Sequence, residues 1–119
     1  MKVVKGAVLK GAGVGGEIGF PTLNIFYDGE EEGVFAAEVE IEGFKYKAAV
    51  NLGHRPTVDD KCFCEAHLLD FDKENFAVGK EMSVELLKRI RDIKKFENLG
   101  DLQQQIDEDL KHVREFFGI

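Results

Sequence analysis

Short runs rich in apolar residues, bounded by glycine-containing and polar turns, recur along most of this chain, as strands do. Residues 2–10 and 20–27 form the first two such runs, on either side of a glycine-dense segment. Val34-Phe35-Ala36-Ala37-Glu38-Val39-Glu40-Ile41 is followed by Glu42-Gly43 and then by Phe44-Lys45-Tyr46-Lys47-Ala48-Ala49-Val50. Two runs around a short turn containing glycine predict a hairpin. Cys62 to Phe71 reads as a further strand. Met82, Val84, Leu86, Lys88 and Ile90 alternate like a strand, although Leu86-Leu87-Ile90 also suits a helix. The strand is preferred, because the segment before it reads as a hairpin loop ending at Gly79.

The period then lengthens. Leu99, Leu102, Ile106, Leu110, Val113 and Phe117 recur at three- and four-residue steps, which is one face of a helix. Asn98 is placed to cap it with Asp101 three positions on, and Gly118 is a natural stop. Six short strands and one helix predict a mainly β domain over residues 1–119. The sheet closes into a barrel and the helix covers one open face.

Composition narrows the function. The 119 residues are 44% apolar and 33% charged, as in a globular protein. No apolar stretch approaches the roughly 18 residues of a membrane span, and Met1-Lys2-Val3-Val4-Lys5 does not open a signal segment. A cytoplasmic protein with no membrane partner is expected. A net charge of −7, with only Lys88-Arg89 and Lys94-Lys95 as basic pairs, argues against a nucleic-acid partner. It leaves phosphate ligands open, since backbone N–H groups and a metal ion can hold them. Cys62 and Cys64 are no disulfide framework, because residues two apart in a strand are poorly placed to bridge.

Gly11-Ala12-Gly13-Val14-Gly15-Gly16 satisfies the G-x-G-x-x-G pattern. A dinucleotide fold needs that pattern to open a helix, and Gly19-Phe20-Pro21 would break one. No Lys-Ser or Lys-Thr follows for a P-loop. What remains is a glycine flap between two strands, able to bring N–H groups against phosphates, or an ordinary hairpin loop. Thr22 and Asn24 lie two apart in the next strand and share a face. Their oxygens are hard ligands of the kind Mg²⁺ accepts; strand propensity and a local turn bond would explain them otherwise.

In the run from Cys62 to Leu69, alternation puts Phe63, Glu65, His67 and Leu69 on one face and Cys62, Cys64, Ala66 and Leu68 on the other. A glutamate between apolar neighbours is either solvent-facing or functional. The two cysteines do not converge with His67 as zinc ligands would, so they read as buried and inert. His54 and His112 read as surface residues.

Gly19-Phe20-Pro21-Thr22-Leu23-Asn24-Ile25 resembles the "GFPTxNI" signature of flavokinases, the ATP:riboflavin 5′-phosphotransferases. Further motifs agree in order: Gly33-Val34-Phe35-Ala36, Asn51-Leu52-Gly53-His54-Arg55-Pro56-Thr57, Glu65-Ala66-His67-Leu68-Leu69-Asp70-Phe71, and Leu87-Lys88-Arg89-Ile90-Arg91 with Lys95-Phe96. Gln105-Ile106-Asp107-Glu108-Asp109 and Arg114-Glu115-Phe116-Phe117-Gly118 extend the match to the end of the chain.

The resemblance implies a six-stranded antiparallel, split Greek-key barrel with a C-terminal helix. It implies that Thr22 and Asn24 help hold the nucleotide's Mg²⁺, and that Glu65 is the general base toward the riboflavin 5′-hydroxyl. The nucleotide-facing set would be Gly11, Gly13, Gly15, Gly16, Gly19, Pro21, Thr22 and Asn24, with Asn51, Arg55 and Thr57 in a nearby loop; Arg55 would equally serve as a structural ion-pair partner. Val14 and Gly16 replace the basic residues bacterial relatives often carry in the flap, which leaves phosphate charge to Mg²⁺ and backbone. Asp70-Phe71-Asp72-Lys73-Glu74-Asn75-Phe76-Ala77-Val78-Gly79-Lys80 is longer than the family's usual hairpin, so riboflavin contacts stay unassigned. Nothing resembles the adenylyltransferase that bacterial relatives carry in front. The expectation is a monomer that uses Mg-ATP and riboflavin to make FMN and stops there. The alternative is a catalytically silent flavin-binding module.

Overall fold

The computed structural model describes residues 2–9, 22–54, 62–69 and 78–119. Six strands precede one helix: β1 (Lys2–Ala7), β2 (Thr22–Tyr27), β3 (Gly33–Ile41), β4 (Phe44–His54), β5 (Cys62–Leu68), β6 (Glu81–Arg91) and α1 (Leu99–Phe117). They form one sheet in the order β1-β6-β3-β4-β5-β2, antiparallel at every ladder. β3, β4 and β5 meander, and β6 returns to lie beside β3, which is Greek-key topology. Met82–Ile90 is a strand, as the alternation predicts.

The hairpin between β3 and β4 turns at Glu42 (φ 52°) and Gly43 (φ 85°). Two positive φ values in a two-residue loop are what a type I′ turn demands, and they match the twist of the flanking strands.

Alternation sends one face of every strand inward. Val4, Ile25, Val39, Val50, Ala66 and Val84, one from each strand, meet in a single buried cluster. Among the described residues, the barrel closes on itself between the β1 and β2 segments by one bridge, in which the Leu9 N–H donates to the Asn24 carbonyl at 2.8 Å. Gly6 permits the approach: a Cβ there would stand 3.2 Å from the Ile25 Cβ.

The helix packs on the outer face of the sheet, not over a mouth of the barrel. Val113 is buried with Ala36, Ala49 and Leu69, which belong to the outward-facing set. Two alanines side by side on β3 and β4 leave room for a helix to lie close. Asn98 caps α1 by accepting from the Asp101 N–H at 2.8 Å, and Gly118 ends it at φ 73°. No helix among the described residues is long and apolar enough to cross a membrane.

Candidate active site

β2 pairs with β5 in a register that sets Asn24 opposite Glu65 and Thr22 opposite His67. β4 flanks β5 on its other edge and sets Asn51 opposite Glu65. Three of the sequence-predicted residues, Asn24, Glu65 and Asn51, therefore share one rung across three adjacent strands, with Thr22 one step along. Leu23 and Ile25 point into the barrel core, so these side chains leave the outer face. Directly opposite partners hold their Cβ atoms within about 5 Å, close enough for one ligand to touch both.

Burial separates the members. Asn24 is 3% exposed, and its Oδ1 has no hydrogen-bond partner among the described residues. An orphaned buried acceptor costs about 1–3 kcal/mol, and a valine would have served the strand better. Such an atom calls for an explanation, and a cation beside it is a chemical match. The donor set fits Mg²⁺: a hydroxyl and an amide oxygen from one strand face are hard and neutral, leaving other positions to water and phosphate. Among the described residues no group of three His, Cys, Asp or Glu side chains could cage a metal by itself.

Glu65 is nearly buried, its side chain 12% exposed. Its neighbour Cys64 points the other way, into the core, where burial and then the charge of Glu65 push the thiol up to about 12. Cys64 is inert there, as its place in the alternation predicts.

Gly11, Gly13, Gly15, Gly16, Gly19, Pro21, Arg55 and Thr57 lie outside the described residues, as does the segment 71–77. His112 is exposed on α1.

Two features were not assigned a role from sequence. His67, buried beside Glu65, touches both Glu65 and Thr22. Arg91, at the end of β6, forms a two-pronged ion pair with Asp109 of α1, Nε to Oδ1 and NH2 to Oδ2, each at 2.8 Å. Gln105 adds a bond to Asp109 Oδ1 at 3.1 Å. Asp109 lies three residues after Ile106 and four before Val113, on the apolar stripe, and an acid there is the signal that a buried partner awaits it.

Known proteins resemble this chain in sequence and fold. The bifunctional riboflavin kinase/FMN adenylyltransferase of Escherichia coli (strain K12) is 38% identical across 98% of this chain and 38% of its own length. The chain spans less than two-fifths of the length of the first curated relatives it matches. A crystal structure of a Streptococcus pneumoniae protein named as a macrolide-efflux protein superposes with a TM-score of 0.81 at 32% identity, over 94% of this chain and 38% of that one. That name describes that protein, and a shared barrel alone transfers no activity. Riboflavin kinase from Trypanosoma brucei superposes at 0.66 and 22% identity over 98% of this chain and 79% of its own, a likeness of fold. The family model described as riboflavin kinase matches residues 2–117, and the chain belongs to the flavokinase family.

Proposed function

We propose that this chain transfers the γ-phosphoryl group of ATP to the 5′-hydroxyl of riboflavin, giving FMN and ADP. The observation that carries the reading is the rung itself: an unpartnered buried amide oxygen, Asn24 Oδ1, directly across from the carboxylate of Glu65. Flavin binding alone asks for neither a hard-oxygen donor pair nor a carboxylate beside it.

An alcohol is a poor nucleophile. Glu65 orients the riboflavin hydroxyl and accepts its proton as the oxygen attacks the γ-phosphorus. A bond forms between that oxygen and phosphorus, the bond to the β-phosphate oxygen breaks, and ADP departs with the electron pair. Thr22 and Asn24 would hold Mg²⁺, which when bound offsets charge on the phosphate oxygens. Asn51, on the other flank of Glu65, is placed to hold a polar group of either substrate. The glycines of residues 11–19 supply N–H groups to the triphosphate. We place the reaction in the cytoplasm and assign it to a monomer, with residues 1–119 as one kinase unit.

The test is FMN formation from riboflavin and Mg-ATP by the purified chain, followed by chromatography with fluorescence detection. FMN is expected. Riboflavin bound without turnover would overturn the kinase in favour of a flavin-binding module.

A further inference from the structure

The chemistry above leaves a buried imidazole beside the site unused. His67 is 3% exposed and lies one step along β5 from Glu65, directly across from Thr22. Its two ring nitrogens meet different partners. Nδ1 is 3.4 Å from Thr22 Oγ1. Nε2 is 3.2 Å from Glu65 Oε1, yet off the line of a hydrogen bond, so that it counts as an unpartnered buried atom. A core histidine kept only for packing would satisfy both nitrogens within the fold. This one turns both toward the two side chains nearest the chemistry, and leaves Nε2 without a hydrogen bond.

We propose that His67 is a positioning residue joining the two halves of the site, with Nε2 aiming the Glu65 carboxylate and Nδ1 orienting the Thr22 hydroxyl. The proposal rests on the roles given above to Glu65 and Thr22.

The partners decide the tautomer. An ionised carboxylate only accepts hydrogen bonds, so Nε2 carries the proton toward Glu65. Nδ1 then has a free lone pair and accepts the proton of the Thr22 hydroxyl. With its hydrogen turned to the imidazole, Thr22 Oγ1 presents lone pairs away from the ring, which is the orientation a cation ligand needs. A small rotation of Glu65 brings Nε2–H into line, as such contacts often tighten only in the substrate complex. Ala49, the cross-strand partner of His67 on β4, is buried with Val113 of α1. One imidazole thereby fixes a proton acceptor on one side and a metal-side oxygen on the other.

The two arms are separable by substitution. The amide of asparagine stands near where Nδ1 stands, and that of glutamine near Nε2. His67→Asn therefore keeps the Thr22 arm and His67→Gln the Glu65 arm, while His67→Leu keeps neither. The expected result is a split: H67N loses mainly kcat, and H67Q loses mainly affinity for Mg-ADP measured by calorimetry, each by about tenfold or more. Binding of ADP without metal is the same in both, and H67L shows both losses. In a Glu65→Gln background H67N adds no further loss of kcat. Losses that run in parallel in H67N and H67Q and follow their melting temperatures, or wild-type values in H67L, would overturn the proposal. So would a full additional loss in the double variant. The underlying reading fails separately: E65Q at the wild-type rate removes the base, whatever the Mg-ADP titrations of the His67 variants give.

Discussion

Asn24 on β2 and Glu65 on β5 are cross-strand partners, so an amide oxygen with no partner and a carboxylate leave the barrel side by side. Their separation in sequence is bridged by register alone. A slip of one residue in the β2–β5 ladder would turn one of them into the core and dismantle the site. The ladder is held by Leu23, Ile25, Cys64 and Ala66, whose inward side chains are buried in the barrel. Core packing and site geometry are thus fixed by the same pairing.

Glu65→Gln keeps the shape of the side chain and removes its ability to take a proton. Its kcat for FMN formation is expected to fall about a hundredfold or more, with KM for ATP little changed. A steady-state assay that showed a large rise in KM at constant kcat would assign Glu65 to binding.

Asn24→Leu conserves volume and replaces the orphaned oxygen with carbon. Because Asn24 Oδ1 makes no hydrogen bond among the described residues, the urea midpoint should hold or rise. Mg-dependent binding of ADP should be lost in the same variant. A lower urea midpoint without loss of binding would mean that the oxygen serves the fold.

Asp109→Asn leaves the Arg91 guanidinium without its counter-charge, the Arg91 side chain being 18% exposed and that of Asp109 4%. Breaking one side of such a pair is expected to cost about 3 kcal/mol. The double variant Arg91→Met, Asp109→Leu should recover most of it, since well-packed apolar residues replace buried ion pairs at little cost. Urea denaturation of the three proteins checks this.

Burial raises the Cys64 thiol from an ordinary 9.0 to about 12 in the folded chain. Above pH 9 the unfolded chain gives up this proton while the folded chain keeps it. The thiol's contribution to stability is therefore complete below pH 9 and declines as pH rises toward about 12. The difference in urea midpoint between wild type and Cys64→Ala, measured from pH 8 to pH 11, should shrink with rising pH. A constant difference would mean that the thiol titrates alike in both states.

Much of this was legible in the sequence, for local reasons. Short apolar runs between turn signals, with period-two alternation in the last two, located the six strands; Glu42-Gly43 marked a hairpin turn with two positive φ values, and Asn98 and Gly118 bracketed the helix. Alternation also put Glu65 and His67 on one face of β5. It could not say which face would turn inward, nor that α1 would lie on the outer face beside the site, because both depend on strand pairing between distant segments. The link between Thr22 and His67 spans 45 positions and exists only through the β2–β5 register. Asp109 was hidden differently. An acid in a helix rich in acids reads as solvated until Arg91 is seen reaching it from the sheet.

The seam of the barrel has a consequence for how the molecule moves. Between β1 and β2 the described residues share one bridge and no ladder, and its acceptor is the main-chain carbonyl of Asn24. The residue proposed to offer its side chain to a ligand thus also carries the carbonyl of that bridge. Opening of this bridge would displace the Asn24 side chain, and a ligand held by that side chain would oppose it. Hydrogen exchange at the Leu9 amide, which donates to the Asn24 carbonyl, should consequently slow when Mg-ADP binds. Nucleotide would act on this barrel as a fastener, with the breathing of its weakest seam reporting whether the site is filled.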